Sequence, residues 1–125
     1  MFRIEKEFAF SAAHQLHGLR AEHPCGRVHG HNYRVVVALE SPTLDSTSFV
    51  VDYGELSDLK AYIDTVLDHR NLNDVLLFQT TAENIAKHIF EFTHTCASVV
   101  AVKSKRVTLW PLSLTISDVV LVVVP

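Results

Sequence analysis

Apolar positions in this chain change period from two to 3.6 and back, and the changes mark its elements. Phe2, Ile4, Phe8 and Phe10 alternate with polar or small residues, which predicts a strand with one buried face. An irregular stretch over residues 11–28, rich in His, Gly and Ala, precedes a second strand in HNYRVVVALE, residues 31–40. SPTLDSTS reads as a connection. FVVDYGELSDLKAYIDTVLDH then reads as a short strand running into a helix, on which Leu56, Leu59, Ile63, Val66 and Leu67 recur at helical spacing. RNLND is a turn. Thr80 or Thr81 caps a second helix, with Glu83 near its first turn and Ile85, Ile89 and Phe92 as its apolar stripe. Strands return in SVVAVKSKRVTLW and SLTISDVVLVVV.

The order β, β, α, α, β, β predicts an α+β fold with an antiparallel sheet of four strands. No repeat or linker interrupts it, so residues 1–125 read as a single domain. An open sheet leaves two edges, and the Val-rich last strand would be a poor exposed one. Burial against another subunit would cover it.

Composition narrows the function. A net charge of −3 gives no support for nucleic-acid binding, which usually shows as a strongly basic face. Charges at Arg3, Glu5, Lys6 and Glu7 break any signal-peptide core, and the run Val119–Val124 is far shorter than the roughly 20 residues of a spanning helix. Two cysteines, Cys25 and Cys96, do not suggest a disulfide framework. The expectation is a cytoplasmic, reduced protein with no membrane partner.

Eight histidines are many for this length, and their positions matter more than their number. His29 and His31 flank Gly30 at the mouth of the second strand. Residues i and i+2 share a face, so both imidazoles can meet one metal, and Gly30 lets another group approach. His14, just beyond the first strand, supplies a third ligand if the two strands pair; His17 is its competitor. Three neutral nitrogens leave a tetrahedral position open, as in catalytic zinc sites. Cys25 closes that set as a fourth ligand, fills a buried gap, or serves as a reactive thiol near a cation. The polar, Gly/Pro-punctuated HPCGRVHGH favours the last. Asp68–His69 follows the first helix, where a carboxylate can orient an imidazole and stabilise its charged form. The alternative is a His placed at a helix C-terminus by the dipole.

FSAAHQL, CGRVHGHNY, VDYGEL, LDHRNLND and TTAENIA, in that order, resemble the 6-pyruvoyl-tetrahydropterin synthase family over about residues 4–90. A cysteine four residues ahead of His-Gly-His is most similar to its bacterial branch, the 6-carboxy-tetrahydropterin synthases of queuosine precursor biosynthesis. The resemblance implies the T-fold: a four-stranded antiparallel sheet with two helices on one face, joined into a barrel across three subunits, with two trimers forming a homohexamer. It implies Zn2+ on His14, His29 and His31, Cys25 as catalytic base, and Asp68 and His69 as its relay partners. It implies a lyase acting on 7,8-dihydroneopterin triphosphate, with loss of triphosphate and acetaldehyde to leave a 6-carboxy-tetrahydropterin. The alternative product is 6-pyruvoyl-tetrahydropterin. Thr80 and Thr81 fall where the family contacts the pterin, and Arg27, with Arg20 and Lys6, is a candidate for the triphosphate. The family also grips the pterin with a late-strand glutamate. Here its place falls near Arg106 or at Pro111, and Asp118 is the only acidic residue after Glu91. A zinc-containing pterin-binding homologue without turnover is therefore a further reading.

Overall fold

The computed structural model describes residues 1–96 in full and the backbone of strand residues 104–110, 114–116 and 119–121. Two long strands, β1 (Phe2–His14) and β2 (His29–Ser41), pair antiparallel over their whole lengths, from Phe2 opposite Ser41 to His14 opposite His29. β2 pairs on its other side with β4 (Ser104–Trp110), antiparallel, with Ala38 opposite Arg106. The outer place beside β1 is taken by the two-residue β3 (Arg70–Asn71), parallel to Ala12–Ala13. The sheet order is thus β3-β1-β2-β4.

The fold is α+β, as the element order predicts, but the sheet is mixed rather than all antiparallel. The Val-rich end does not extend it. β5 (Leu114–Ile116) and β6 (Val119–Leu121) pair antiparallel with each other as a separate ribbon. Residues 98–103 of the predicted penultimate strand, and Pro111 and Asp118, lie outside the described residues.

One face of the sheet carries the core. Phe8, Phe10 and Ala12 on β1 and Tyr33, Val35, Val37 and Leu39 on β2 are buried against Leu56, Leu59, Ile63, Leu67, Leu72, Ile85, Ala86 and Ile89 from the helical segments. Each fully buried Leu or Ile contributes about 1.5–3 kcal/mol. α3 (Ala82–Thr93) follows its predicted stripe, capped by Thr81, whose hydroxyl accepts the Asn84 N–H at 3.3 Å.

The first predicted helix is more varied. A 3₁₀ turn (Tyr53–Leu56), capped by the Asp52 side chain, leads into α1 (Ser57–Tyr62). It ends in a widened π turn, Ile63–Leu67, in which the Asp68 N–H reaches back to the Ile63 carbonyl at 2.9 Å. The apolar spacing decided which side chains are buried, and the backbone adjusted within it. α2 (Leu72–Val75) is a single turn capped by Asn71. Among the described residues no helix is long and apolar enough to cross a membrane.

Candidate metal centre

The β1–β2 register builds the centre. His14 lies directly opposite His29, and His31 sits opposite Ala12. Ala12 has the smallest side chain on the buried face of β1, which leaves room for the facing imidazole. The three rings stand with centroids 4.6–5.1 Å apart, and one ligand nitrogen from each lies within 4.8 Å of the others. His14 is buried and the other two are half-buried, so the group opens to one side.

Hydrogen bonds fix the tautomers. His14 Nδ1 donates to the Thr80 carbonyl at 2.7 Å and approaches the Thr80 hydroxyl at 3.2 Å. His29 Nδ1 donates to the Arg27 carbonyl at 2.7 Å. Carbonyls only accept, so both Nδ1 atoms carry the proton and both Nε2 atoms present lone pairs. Those Nε2 atoms face each other at 3.0 Å. Two lone pairs so placed repel unless a proton or a metal ion lies between them, and with His31 as a third nitrogen the residues present fit a metal. Burial, opposed by the Thr80 carbonyl bond and aided by the neighbouring imidazoles, holds His14 below the usual histidine range, and burial with the His29 ring does the same to His31. Both stay neutral near pH 7, the form a metal needs.

Cys25 lies outside this group. Among the described residues the metal-capable cluster holds three imidazoles and no thiol, so a closed set of one cysteine and three histidines is not formed. Cys25 is half-buried in the 3₁₀ turn Pro24–Gly26, which is tied back to the chain after His14: Leu16 N–H donates to the Cys25 carbonyl at 2.9 Å and Gln15 Nε2 to the Gly26 carbonyl at 2.8 Å. The competitor His17 is exposed and not in the cluster.

Asp68 and His69 come together at the edge of β1. His69 Nδ1 lies 2.8 Å from Asp68 Oδ2, while Asp68 Oδ1 accepts the Ser11 N–H at 2.8 Å and His69 N–H donates to the Ser11 carbonyl at 2.7 Å. These bonds hold His69 at φ +57, a left-handed conformation uncommon outside glycine. The Ser11 amide first, then His69, keeps the Asp68 carboxyl below the usual carboxylate range. The His69 side chain is 83% exposed and lines an open groove of about 480 Å³ with Ala13, Gly30, His31 and Asn32. A Cβ on Gly30 would meet only the Ala12 carbonyl oxygen, at 3.7 Å, so no close approach demands this glycine within the chain. The Cys25 thiol hydrogen-bonds neither Asp68 nor His69.

Two further contacts hold the His14 end of the strand. Thr80 is wholly buried with both oxygens turned to His14, which orients that ring. RNLND is more than a turn: Asn73 clamps both backbone groups of Gln15, at 2.8 and 2.9 Å, beside His14. Neither role leaves a local sequence signal, since the partners are 66 and 58 residues apart. Thr81 is half-buried, and the exposed Arg27 lines a cavity of about 380 Å³ with His17, Arg20 and His23. β4 contains no acidic residue at Arg106 or elsewhere.

Residues 3–116 match the protein family described as 6-pyruvoyl tetrahydropterin synthase. A 6-carboxy-5,6,7,8-tetrahydropterin synthase from Synechocystis sp. is 43% identical over 99 residues, spanning 72% of this chain and 73% of that protein. The human 6-pyruvoyl tetrahydrobiopterin synthase is 32% identical over 109 residues, spanning 71% of this chain and 72% of that one. The structure of Caenorhabditis elegans 6-pyruvoyl tetrahydropterin synthase superposes with a TM-score of 0.73 at 26% identity, covering 89% of each chain.

Proposed function

Because the chain belongs to the 6-pyruvoyl tetrahydropterin synthase family, we propose that it is a zinc-dependent lyase that converts 7,8-dihydroneopterin triphosphate to 6-carboxy-5,6,7,8-tetrahydropterin. The observation that carries this reading is the His14–His29–His31 group, in which His14 and His29 have their Nδ1 protons committed to carbonyls and their Nε2 lone pairs converging.

Zinc held there would act as a Lewis acid, lowering the acidity barrier of the substrate's side-chain hydroxyls and adjacent C–H bonds. The other steps belong to the chain. Cys25, as thiolate, takes a proton from the substrate side chain. His69, oriented by Asp68, returns or relays one. A positioned acid–base group gives about 10²–10⁴-fold, or roughly 3–5 kcal/mol. The substrate itself would bridge Cys25 and His69, which do not touch each other. Of Thr80 and Thr81, the more accessible Thr81 reaches the pterin, and Arg27 meets the triphosphate. Elimination of triphosphate, addition of one water to the carbon next to the ring, and loss of the two outer side-chain carbons as acetaldehyde complete the reaction and leave the carboxyl group, in the cytoplasm and within a homohexamer.

A second reading has its own observation. With no carboxylate in β4, the pterin's guanidine-like edge lacks an ionic partner there, and a missing partner for such a group costs about 1–3 kcal/mol or more. A zinc-containing pterin-binding protein without turnover would fit. Incubating zinc-loaded protein with 7,8-dihydroneopterin triphosphate and weighing the products separates the two. The lyase reading expects triphosphate and a pterin of 6-carboxy mass; a 6-pyruvoyl mass would reassign the product. Intact substrate would favour the binding protein.

A further inference from the structure

Cys25 is anchored unevenly. On its carbonyl side the turn is tied to Gln15 and Leu16, immediately after His14, and it runs through Arg27, whose carbonyl holds His29. Both metal ligands of the strand ends therefore brace that side. On the amide side the turn's own backbone bonds, among them Arg27 N–H to the Pro24 carbonyl at 3.3 Å, are joined by a single side-chain bond. His23 has the extended backbone of an N-cap, with φ −63 and ψ 128, and its Nδ1 accepts the Cys25 N–H at 3.1 Å. Its carbonyl accepts the Gly26 N–H at 2.9 Å, which closes the turn. Pro24 occupies the first position, where its missing N–H costs nothing.

A cap of this kind is ordinarily Ser, Thr, Asp or Asn, and a histidine in the place is unusual. An amide can only donate, so His23 Nδ1 is bare and its proton is on Nε2. The ring works here through one nitrogen, in one tautomer, against one amide.

We propose that His23 is a positioning residue for Cys25: its Nδ1 holds the Cys25 amide and thereby sets where the thiol stands beside the His14–His29–His31 group. This rests on the reading of Cys25 as catalytic. The side-chain oxygen of Asn lies as many bonds from Cα as His Nδ1, and that of Gln as many as Nε2. Asn at position 23 therefore keeps the bond, and Gln and Ala lose it.

The test compares His23→Ala, His23→Asn and His23→Gln with the unaltered protein in two measurements. Hydrogen exchange of the peptide spanning residues 22–27 should show protection retained with His and Asn and lost with Ala and Gln. Turnover should fall about 10- to 100-fold in kcat for Ala and Gln, since a displacement of about 1 Å can cost that much. KM and zinc content should stay within about twofold, and Asn should restore kcat. Equal exchange in all four proteins, or Gln matching Asn, overturns the proposal whatever the activity. Turnover surviving in Cys25→Ser overturns instead the reading of Cys25 on which it rests, whatever the exchange shows.

Discussion

His14 and His29 face each other through their Nε2 atoms at 3.0 Å, each with its other ring nitrogen already bonded to a backbone carbonyl. That arrangement is unfavourable without a cation and favourable with one. After chelation the protein is expected to take up one zinc ion per chain, measured by elemental analysis after dialysis. His14→Ala, His29→Ala and His31→Ala should each abolish uptake. Thr80→Val removes only the hydroxyl at 3.2 Å and keeps the carbonyl bond, so affinity should fall about tenfold, the lower range for partners of metal ligands.

Burial, opposed on His14 by the Thr80 bond and aided by the neighbouring rings, places His14 and His31 below the ordinary histidine value of about 6.5 in the metal-free chain. On acidification the unfolded chain protonates first. The stability of the metal-free protein is thus intact above about pH 6.5 and declines as pH falls below it, until the folded rings also take up protons. Urea midpoints at pH 7.5 and 5.5 should show the loss, and saturating zinc should raise the midpoint at pH 7.5 more than at pH 5.5, because protons compete for the same nitrogens. A metal-free midpoint that rises at pH 5.5 would contradict the buried, neutral state of these rings.

Thr81 carries two roles in this account. Its hydroxyl caps α3 through the Asn84 amide, and it is the threonine assigned to the pterin. Thr81→Ala should lower stability by about 1 kcal/mol and raise KM severalfold with zinc content unchanged. Thr81→Ser should restore both. Lost stability with an unaltered KM would leave Thr81 a cap and nothing more.

Much of this was legible in the residues. The i, i+2 spacing put His29 and His31 on one face, and of the helically spaced Leu56, Leu59, Ile63, Val66 and Leu67 all are buried except Val66, which is half-buried. What spacing could not supply was the ladder register that sets His14 against His29, because a shift of one residue would turn the ring to the other face. The hold of Thr80 on His14 was hidden for a related reason: it acts through a carbonyl, which every residue has, on a histidine 66 positions away. The last strand misled because a Val-rich run satisfies the pattern of a central strand and of a small ribbon equally well. The π turn before Asp68 conserves the apolar pattern while rotating the chain, so nothing in the residue types announced it.

The claim at the centre is that the metal sits on three histidines and the thiol works beside it without binding it. Cys25→Ala tests both halves at once when zinc content and turnover are measured on the same preparation. One zinc per chain with turnover reduced by about 10²-fold or more is the expected result. Loss of the zinc together with folding stability, or turnover left intact, would contradict the account.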